Sequence, residues 1–566
     1  MTAEEREKII SNDYADLLIS YSGDTSVFTK FQDATVQIIN FFNAVVYVPV
    51  SQITENTIAE LGYSVMPSTF GQISQASLEA SGILRIRNIP NFNLRGKGVL
   101  IGIIDSGIDY TNPIFQYADK TTKILSIWDQ TIVSENFPEG SNYGTEYTRD
   151  QINEALKSDN PLEIVPSTDA NGHGTMLAGI AAGNEVPESD FYGVAPEAEL
   201  VIVKLKQAKT YLRKFFGIPE NVPCYQENDI LFGLDYLVNA AQRAGRPLAI
   251  CVALGTAQGA HAGRGTLSSY LSLRAGVPST AVVVAGGNEG NGRRHYYGEV
   301  DPVTGFDPVE LNIGENEGDF YMELWGNSPS TFSIDVTTPT GEYIPRIETT
   351  LDAIRVITFI FERTILYIDY QMVESQSGDQ LILVRFRNPA PGIWHFNVYG
   401  RGDLGLGFHI WLPMADFISE NTFFIRSNPY TTLLSLGNAR EPITVTAYNN
   451  VDDSLYLNAS RGYTRIDVVK PDIAAPGVSI LSPTLDKGFA EVTGTGASAA
   501  HTTGVAAMLL EWGVVDGHLP GIDGLDIKIF MIRGARRDTE LIYPNRDWGY
   551  GILDVYNIFD SLRREA

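Results

Sequence analysis

The spacing of apolar and polar residues sets the first part of the chain apart from the rest. A short helix is predicted over residues 51–61, where Gly62 is placed to end it. The polar, turn-rich segment 67–74 is predicted to be a linker. Runs rich in β-branched and aromatic residues, typical of strands, lie at 36–40, 44–50 and 63–67. We therefore expect a small α+β unit over residues 1–75.

Continuous apolar runs recur from about residue 96 onward. Runs without polar alternation are typical of strands that are buried on both faces. Between two of them, residues 229–243 place their apolar positions on one side of a helix. The runs lie at 99–104, 200–203, 248–254 and 281–285. This alternation predicts an α/β domain, a parallel sheet with helices on both faces.

The pattern changes to short strands separated by Gly, Pro and Asn between about residues 305 and 435. Such strands predict an antiparallel β-sandwich. Because residues 443–447 resume the α/β pattern, the sandwich is predicted to be an insertion in the α/β domain. The predicted strands are 320–325, 331–336, 381–386, 393–399 and 408–412. The expected boundaries are 1–75, 76–300, 301–435 and 436–566.

Composition and charge narrow the classes of partner. Of 566 residues, 68 are Asp or Glu and 41 are Lys or Arg, so the formal net charge is −27. This acidic excess argues against binding to nucleic acid or to anionic membranes. The N-terminus lacks the basic start and apolar core of a signal peptide, and no run approaches the roughly 18 apolar residues of a membrane span. We expect a soluble protein that stays inside the cell.

The cysteines and acidic residues predict neither a disulfide scaffold nor a metal site. The two cysteines are too few for a scaffold, and Cys251 lies in an apolar run typical of a buried thiol. A disulfide between Cys224 and Cys251 remains open at this stage. No cluster of Asp, Asn and Gly has the spacing of a calcium loop, so we expect no metal and no cofactor.

Three glycine-rich segments carry the candidate chemistry. Asp105 ends a buried strand, where open α/β sheets place their sites, and a carboxylate there can orient a histidine. His173 lies among glycines at a predicted helix start, with room for a substrate beside it. Residues 493–504 form a turn followed by a helix of very small residues.

In this order, the three segments resemble the subtilisin-like (S8) serine protease family. Residues 193–198 and 470–477 also resemble segments of that family, and the likeness covers about 96–300 and 435–560. It implies that Asp105 and His173 belong to a catalytic triad and that Asn288 donates to the oxyanion. It also implies that two short segments line the substrate cleft, namely Ala253, Leu254 and Gly255, and Ala285, Gly286 and Gly287.

The chain departs from the family pattern at the nucleophile. The family has a glycine eight residues after its serine, and counting back from Gly504 leads to Gly496. Without an Oγ no acyl-enzyme forms. Ser498 lies about 200° around a helix from that position, and Thr495 matches a structural threonine of the family. We expect neither to replace the serine, and we expect no peptidase activity.

Within the family, the chain is similar to the germination-associated Csp proteins of spore-forming clostridia. These have no secretion signal, an N-terminal prodomain, an inserted jelly roll, and Ser-Ala-Ala two residues after the nucleophile, here Ser498 onward. The likeness implies an N-terminal prodomain. Because no nucleophile is present to cut it, we expect the junction near residues 71–75 to stay intact and the end of the prodomain to remain in its own cleft. The likeness further implies a cytoplasmic or spore-associated protein whose partner is a related protease or the proform of a cortex-degrading hydrolase. Uncharacterised cytosolic clostridial subtilases of similar architecture are equally good relatives.

Three functions remain open from the sequence. The first is a serine-less pseudoprotease that holds a peptide or a partner protease and regulates proteolytic activation in germination. The second is a working intracellular endopeptidase in which Gly496 is a recent or engineered loss. In the third, the β-sandwich is a ligand-sensing module.

Overall fold

The computed structural model describes residues 1–31, 34–73, 93–347 and 353–565. Its N-terminal unit is a three-stranded antiparallel sheet of order β1-β3-β2 with two helices. The elements are α1 (Ala3–Ile10), β1 (Tyr14–Ser20), β2 (Thr35–Ile38), β3 (Asn43–Pro49), α2 (Thr57–Leu61) and, beyond the unit, β4 (Thr69–Gln72).

Two predictions for the N-terminal region are wrong. Residues 63–65 form a 3-10 turn instead of a strand, because Tyr63 turns inward and its hydroxyl donates to the buried Glu323 at 2.6 Å. The predicted linker contains strand β4. The predicted helix is shorter than expected, since α2 begins only at Thr57; it ends at Gly62, whose φ is +93°. The last residues of the predicted junction, 74 and 75, lie outside the described ranges.

The first half of the α/β domain follows the predicted alternation of strands and helices. Its elements are β5 (Leu100–Asp105), β6 (Ile124–Asp129), β7 (Thr145–Thr148), α3 (Arg149–Lys157), α4 (Pro161–Ile164), α5 (His173–Ala182), β8 (Glu199–Lys204), α6 (Thr210–Phe216), β9 (Tyr225–Gln226), α7 (Glu227–Ala244), β10 (Leu248–Val252), β11 (Leu254–Gly255), α8 (Thr266–Ala275) and β12 (Thr280–Ala285).

The insertion is a β-sandwich of two antiparallel sheets, as predicted. One sheet has the order β13-β22-β15-β20-β19-β18 and the other β17-β16-β21-β14-β23. The strands are β13 (His295–Glu299), β14 (Phe306–Ile313), β15 (Phe320–Gly326), β16 (Thr331–Thr337), β17 (Tyr343–Ile347), β18 (Ala353–Thr358), β19 (Ile365–Gln371), β20 (Gln380–Arg387), β21 (Gly392–Arg401), β22 (Gly407–Trp411) and β23 (Phe423–Phe424).

The chain then returns to the α/β domain and completes its main sheet. The added elements are β24 (Ile443–Asn449), β25 (Ser454–Leu455), β26 (Ile473–Pro476), β27 (Ile480–Pro483), β28 (Phe489–Val492), α9 (Thr495–Leu510), α10 (Gly524–Gly534) and α11 (Val555–Glu565). The described strands run β25-β24-β12-β10-β5-β8-β6-β7, with β26 paired to β24. All neighbours are parallel except the edge strands β7 and β25.

Alternate side chains of the central strands enter two different cores. Ile101 and Ile103 of β5 pack with α5 and α9 on one face, while Leu100 and Ile104 pack with α7 on the other. A sheet covered on both sides explains why its strands are continuous apolar runs. This is the fold class predicted from the sequence.

The sandwich is docked on the α/β domain, because its larger sheet is apolar on both faces. Met322 and Leu324 of β15 belong to the sandwich core, whereas Tyr321 and Trp325 of the same strand join the core of the α/β domain. Leu381 and Leu383 of β20 do the same. The two cores therefore share one sheet.

Cys224 and Cys251 are buried and are not joined by a disulfide. In the four ranges that the structure describes, no helix combines the length and apolar character that crossing a membrane requires. Among the same residues, no three His, Cys, Asp or Glu side chains are grouped so as to hold a metal ion.

Candidate active site

Asp105 and His173 are brought together at the carboxyl edge of the main sheet. Asp105 is the last residue of β5, is fully buried, and its Oδ1 lies 2.8 Å from Nδ1 of His173. The same oxygen accepts a hydrogen bond from the backbone N–H of Ser106 at 2.7 Å. The carboxylate therefore orients the imidazole through Nδ1 and leaves Nε2 toward the cleft.

A second carboxylate holds the first turn of α5 in place. Asp169 Oδ2 accepts from both the backbone N–H and the hydroxyl of Thr175, at 2.8 and 2.7 Å. Its Oδ1 accepts from the hydroxyl of Ser106 at 2.7 Å. Ser106 and Asp169 thus tie the helix that carries His173 to the strand that carries Asp105. The sequence analysis did not assign a role to either residue.

The environment of His173 raises the pKa of its imidazole above the ordinary value. Burial disfavours the charged ring, but the Asp105 carboxylate, its hydrogen bond, the Ile73 carbonyl and Asp169 together outweigh that effect. Nε2 is buried and makes no hydrogen bond of ordinary geometry. The site is therefore arranged to stabilise an imidazolium.

Asn288 is held by Thr495 at the start of α9. The backbone N–H and hydroxyl of Thr495 donate to Oδ1 of Asn288 at 3.1 and 3.2 Å. The same hydroxyl accepts from the backbone N–H of Gly287 at 3.0 Å. Because Oδ1 accepts both of these hydrogen bonds, the amide is oriented with its NH₂ group, the donor end, on the other side. That is the orientation an oxyanion donor needs.

Ser498 and Gly496 lie on different sides of α9. Ser498 is fully buried, and its hydroxyl lies 3.0 and 3.2 Å from the carbonyl oxygens of Pro476 and Ala475. It is therefore directed into the packing between α9 and β26. This agrees with the prediction that Ser498 faces away from His173.

Strand β4 occupies a groove between β11 and β9. It pairs antiparallel with both: Gly71 lies opposite Gly255 and Phe70 lies opposite Tyr225. One residue further on, the N–H of Ile73 donates to the carbonyl of Ala253 at 2.9 Å. We call residues 69–73 the tail. It was mistaken for a linker because its strand structure depends on these two distant partners.

The two predicted cleft segments differ in what they contact. Residues 253–255 pair directly with the tail. Gly286 forms backbone hydrogen bonds with Leu434 and Val445. The N–H of Gly287 donates to the hydroxyl of Thr495. Residues 285–287 thus support Asn288.

The carbonyl of Ile73 lies against Gly496. A Cβ built on Gly496 would overlap this carbonyl oxygen, and the same carbonyl contributes to the raised pKa of His173. The tail, His173 and Gly496 therefore meet at one point. The sequence analysis missed Gln72, Asn171 and Tyr225 here; the position of Asn171, two residues before His173, was the available signal.

Comparison with known proteins places these features in one family. The model of the family described as "Subtilase family" matches residues 96–308 and 426–551, more than half of the chain. The gap between the two matched ranges contains most of the sandwich.

Curated relatives and one solved structure agree with that match. Subtilisin-like protease SBT3.8 of Arabidopsis thaliana is 25% identical over 483 residues, covering 75% of this chain and 57% of that protein. C5a peptidase of Streptococcus pyogenes is 23% identical over 500 residues, covering 81% and 40%. This chain thus spans little more than half the length of the first relative. The CspB protease of Clostridium perfringens superposes with a TM-score of 0.76 and 29% identity, covering 86% of this chain and 97% of that one.

Proposed function

We propose, because the chain belongs to the subtilase family, that it is a pseudoprotease whose substrate cleft holds a peptide segment without cutting it. Gly496 then occupies the nucleophile position, Asp105 and His173 are the remaining triad members, and Asn288 is the oxyanion donor. A cleft of this kind keeps binding energy and loses the covalent step.

One observation carries the proposal: the Ile73 carbonyl fills the space that a side chain at residue 496 would occupy. In a serine enzyme this space holds the nucleophile, next to the carbonyl that is attacked. Here a carbonyl oxygen faces the histidine instead. The missing serine side chain thus removes the attacking group. It also leaves the space in which the tail lies against residue 496.

The N-terminal unit would serve as a prodomain that remains an intramolecular ligand. Its Asp16 is fully buried and accepts from Nζ of Lys209, from Nε2 of Gln226 at 2.6 Å and from Nδ2 of Asn228 at 3.0 Å. These three donors all belong to the α/β domain. Such a polar contact, together with the paired tail, supports lasting association.

The likeness to the CspB protease supports a proposal for the partner and the setting. We propose that the chain regulates proteolytic activation during spore germination, through a related protease or the proform of a cortex-degrading hydrolase. It would then act in the cytoplasm or the spore. The competing function is a working endopeptidase, which would turn over peptides without any substitution.

The test compares the wild-type chain with Gly496→Ser, using intact mass and a fluorogenic peptide assay. We expect the wild type to stay intact and to turn over no peptide. Gly496→Ser should cut its own chain after Ile73, while Gly496→Ser combined with His173→Ala should stay intact. Peptide turnover by the wild type that a serine-directed inhibitor blocks would overturn the proposal.

A further inference from the structure

The side chain of Gln72 makes contacts that the proposed function does not use. We infer that the cleft recognises a glutamine carboxamide at this position, and that it binds preferentially to extended segments of the form aromatic–glycine–glutamine–aliphatic. This inference rests on the proposed function, since it names the class of polypeptide that the cleft binds.

Both ends of the Gln72 carboxamide are paired. Its Nε2 donates to Oδ1 of Asp105 at 2.9 Å, and its Oε1 accepts from Nδ2 of Asn171 at 2.7 Å. Nε2 also lies 3.5 Å from Oδ1 of Asn171 and 3.4 Å from the hydroxyl of Tyr225. One acceptor and one donor thus face the matching ends of a primary amide.

These contacts distinguish glutamine from residues of similar size. A glutamate would bring a second negative charge beside the buried Asp105, which repels it. A methionine would have the shape but would leave Asp105 and Asn171 without those hydrogen bonds. A site built from polar groups rejects ligands that leave them unpaired more strongly than an apolar pocket rejects a change in size.

The neighbouring residue of the tail, Gly71, has little space for a side chain. A Cβ on Gly71 would lie 3.0 Å from Sδ of Met414, 3.1 Å from its Cε and 3.3 Å from a ring carbon of Phe417. Both side chains belong to the segment between β22 and β23. The inserted region therefore narrows the cleft at this point, where a branched or long side chain meets protein atoms.

The two outer positions are apolar. Phe70 is 1% exposed and packs in one core with Tyr225 and Leu254. Ile73 is 2% exposed and packs in the other core with Ala253 and Leu434. The backbone pairing on both edges requires an extended segment. Four consecutive residues of the tail, 70–73, thus each have their own set of contacts in the cleft.

The first experiment measures hydrogen exchange of the β4 amides in the full chain. We expect slow exchange in the wild type, and exchange at least tenfold faster in Gln72→Met, Gln72→Glu and Asn171→Ala. The double variant Gln72→Met with Asn171→Ala should exchange no faster than Gln72→Met alone, because that single change already removes the hydrogen bond to Asn171. The control Gln52→Met, at an exposed glutamine of the same unit, should exchange like the wild type.

The outcomes separate this inference from the proposed function. Fast exchange of β4 in the wild type would mean that the tail does not occupy the cleft, and both would fail. If β4 exchanges slowly in the wild type and just as slowly in the Gln72 and Asn171 variants, only the recognition of the glutamine carboxamide is overturned.

A second experiment uses one protein variant throughout and varies the peptide ligand. The Gln72→Glu chain is mixed with a fluorescent peptide of residues 67–73, and anisotropy is measured against peptides carrying Gln72→Glu, Gln72→Met or Gly71→Val. We expect each substitution to weaken binding at least tenfold. Equal affinities for all four peptides would overturn the inference even if a protein variant folded poorly.

Discussion

At residue 496 the absence of a side chain can be tested separately from the absence of a hydroxyl. Gly496→Ala adds only a methyl group, which would overlap the Ile73 carbonyl. Overpacking of this kind costs about 1–3 kcal/mol, whereas alanine in place of glycine in a helix gains up to about 1 kcal/mol. We expect the clash to win and the free energy of unfolding to fall in urea denaturation, with faster exchange at β4. A more stable variant would mean that the tail does not need this space.

At His173 the sign of the pKa shift gives a second prediction. Because its pKa is raised in the folded state, its contribution to stability is fully present below about pH 6.5 and is lost as pH rises through the folded pKa. An NMR titration should place the His173 midpoint above that of a free histidine. In Asp105→Asn the midpoint should fall below it, because burial then acts without the carboxylate. An unchanged midpoint in that variant would contradict the assigned pair.

At the scale of elements, one buried charge pair joins β1 to the residue that precedes α6. Asp16 and Lys209 are 0% and 3% exposed. Removing one partner leaves the other charge buried, which costs about 3–5 kcal/mol. We expect Asp16→Ala to lower the free energy of unfolding by that amount and to raise exchange in β1–β3.

The same chain offers a matched control on its surface. Arg6 and Glu135 also join the N-terminal unit to the α/β domain, but Glu135 is 80% exposed. Glu135→Ala should cost at most about 1 kcal/mol. A loss as large as that of Asp16→Ala would mean that burial is not what makes the Asp16 contact strong.

An element could be predicted from the sequence when its own residues determine its structure, and could not when distant partners do. β5, β8, β10 and β12 were predicted correctly because burial on both faces leaves a run of apolar residues. β4 was not, since a single Phe among Thr, Gly and Gln carries no such signal and its partners lie more than 150 residues away. Asp105, His173 and Asn288 could be proposed from motifs, and the Ser498 orientation from helical periodicity. The contact between Gln72 and Asn171 could not be predicted, because it depends on where the tail docks.

At the scale of the whole molecule, three histidines and a tryptophan form a stack between the α/β domain and the sandwich. The rings of His261 and Trp411 are 4.0 Å apart, and His295 and His409 stack on the same indole at 4.9 and 5.1 Å. Nε2 of His295 lies 2.9 Å from Nδ1 of His409. Burial lowers the pKa of His261 to about 4 and that of His295 to about 3.

This stack should make the docking of the sandwich sensitive to acid. A histidine whose pKa is lowered in the folded state contributes its full stability above about pH 6.5. As the pH decreases below that value, the free energy of unfolding decreases by about 1.4 kcal/mol per histidine and per pH unit. The nearby charges include the Arg294–Glu289 pair, Arg465, which is paired with Asp379, and Arg546. Arg465 further disfavours protonation of His261. We expect one thermal transition at pH 7.5 and a loss of stability between pH 6.5 and 5.

Calorimetry across that range measures the effect. His295→Asn should reduce the slope of stability against pH by the contribution of one histidine. Two transitions at pH 7.5, or limited proteolysis that releases the sandwich intact at that pH, would contradict a docked joint unit.

The pairing of β4 on both edges has a consequence for timing. Residues 69–70 pair with β9 and residues 71–72 pair with β11, so the tail leaves the cleft only when backbone hydrogen bonds on both of its edges have broken. Complete release is therefore a less frequent opening than the release of a strand paired on one edge. A competing segment can bind only after the tail has left. The rate of exchange in the cleft is therefore set by how often the tail is released, and depends little on the concentration of the competitor.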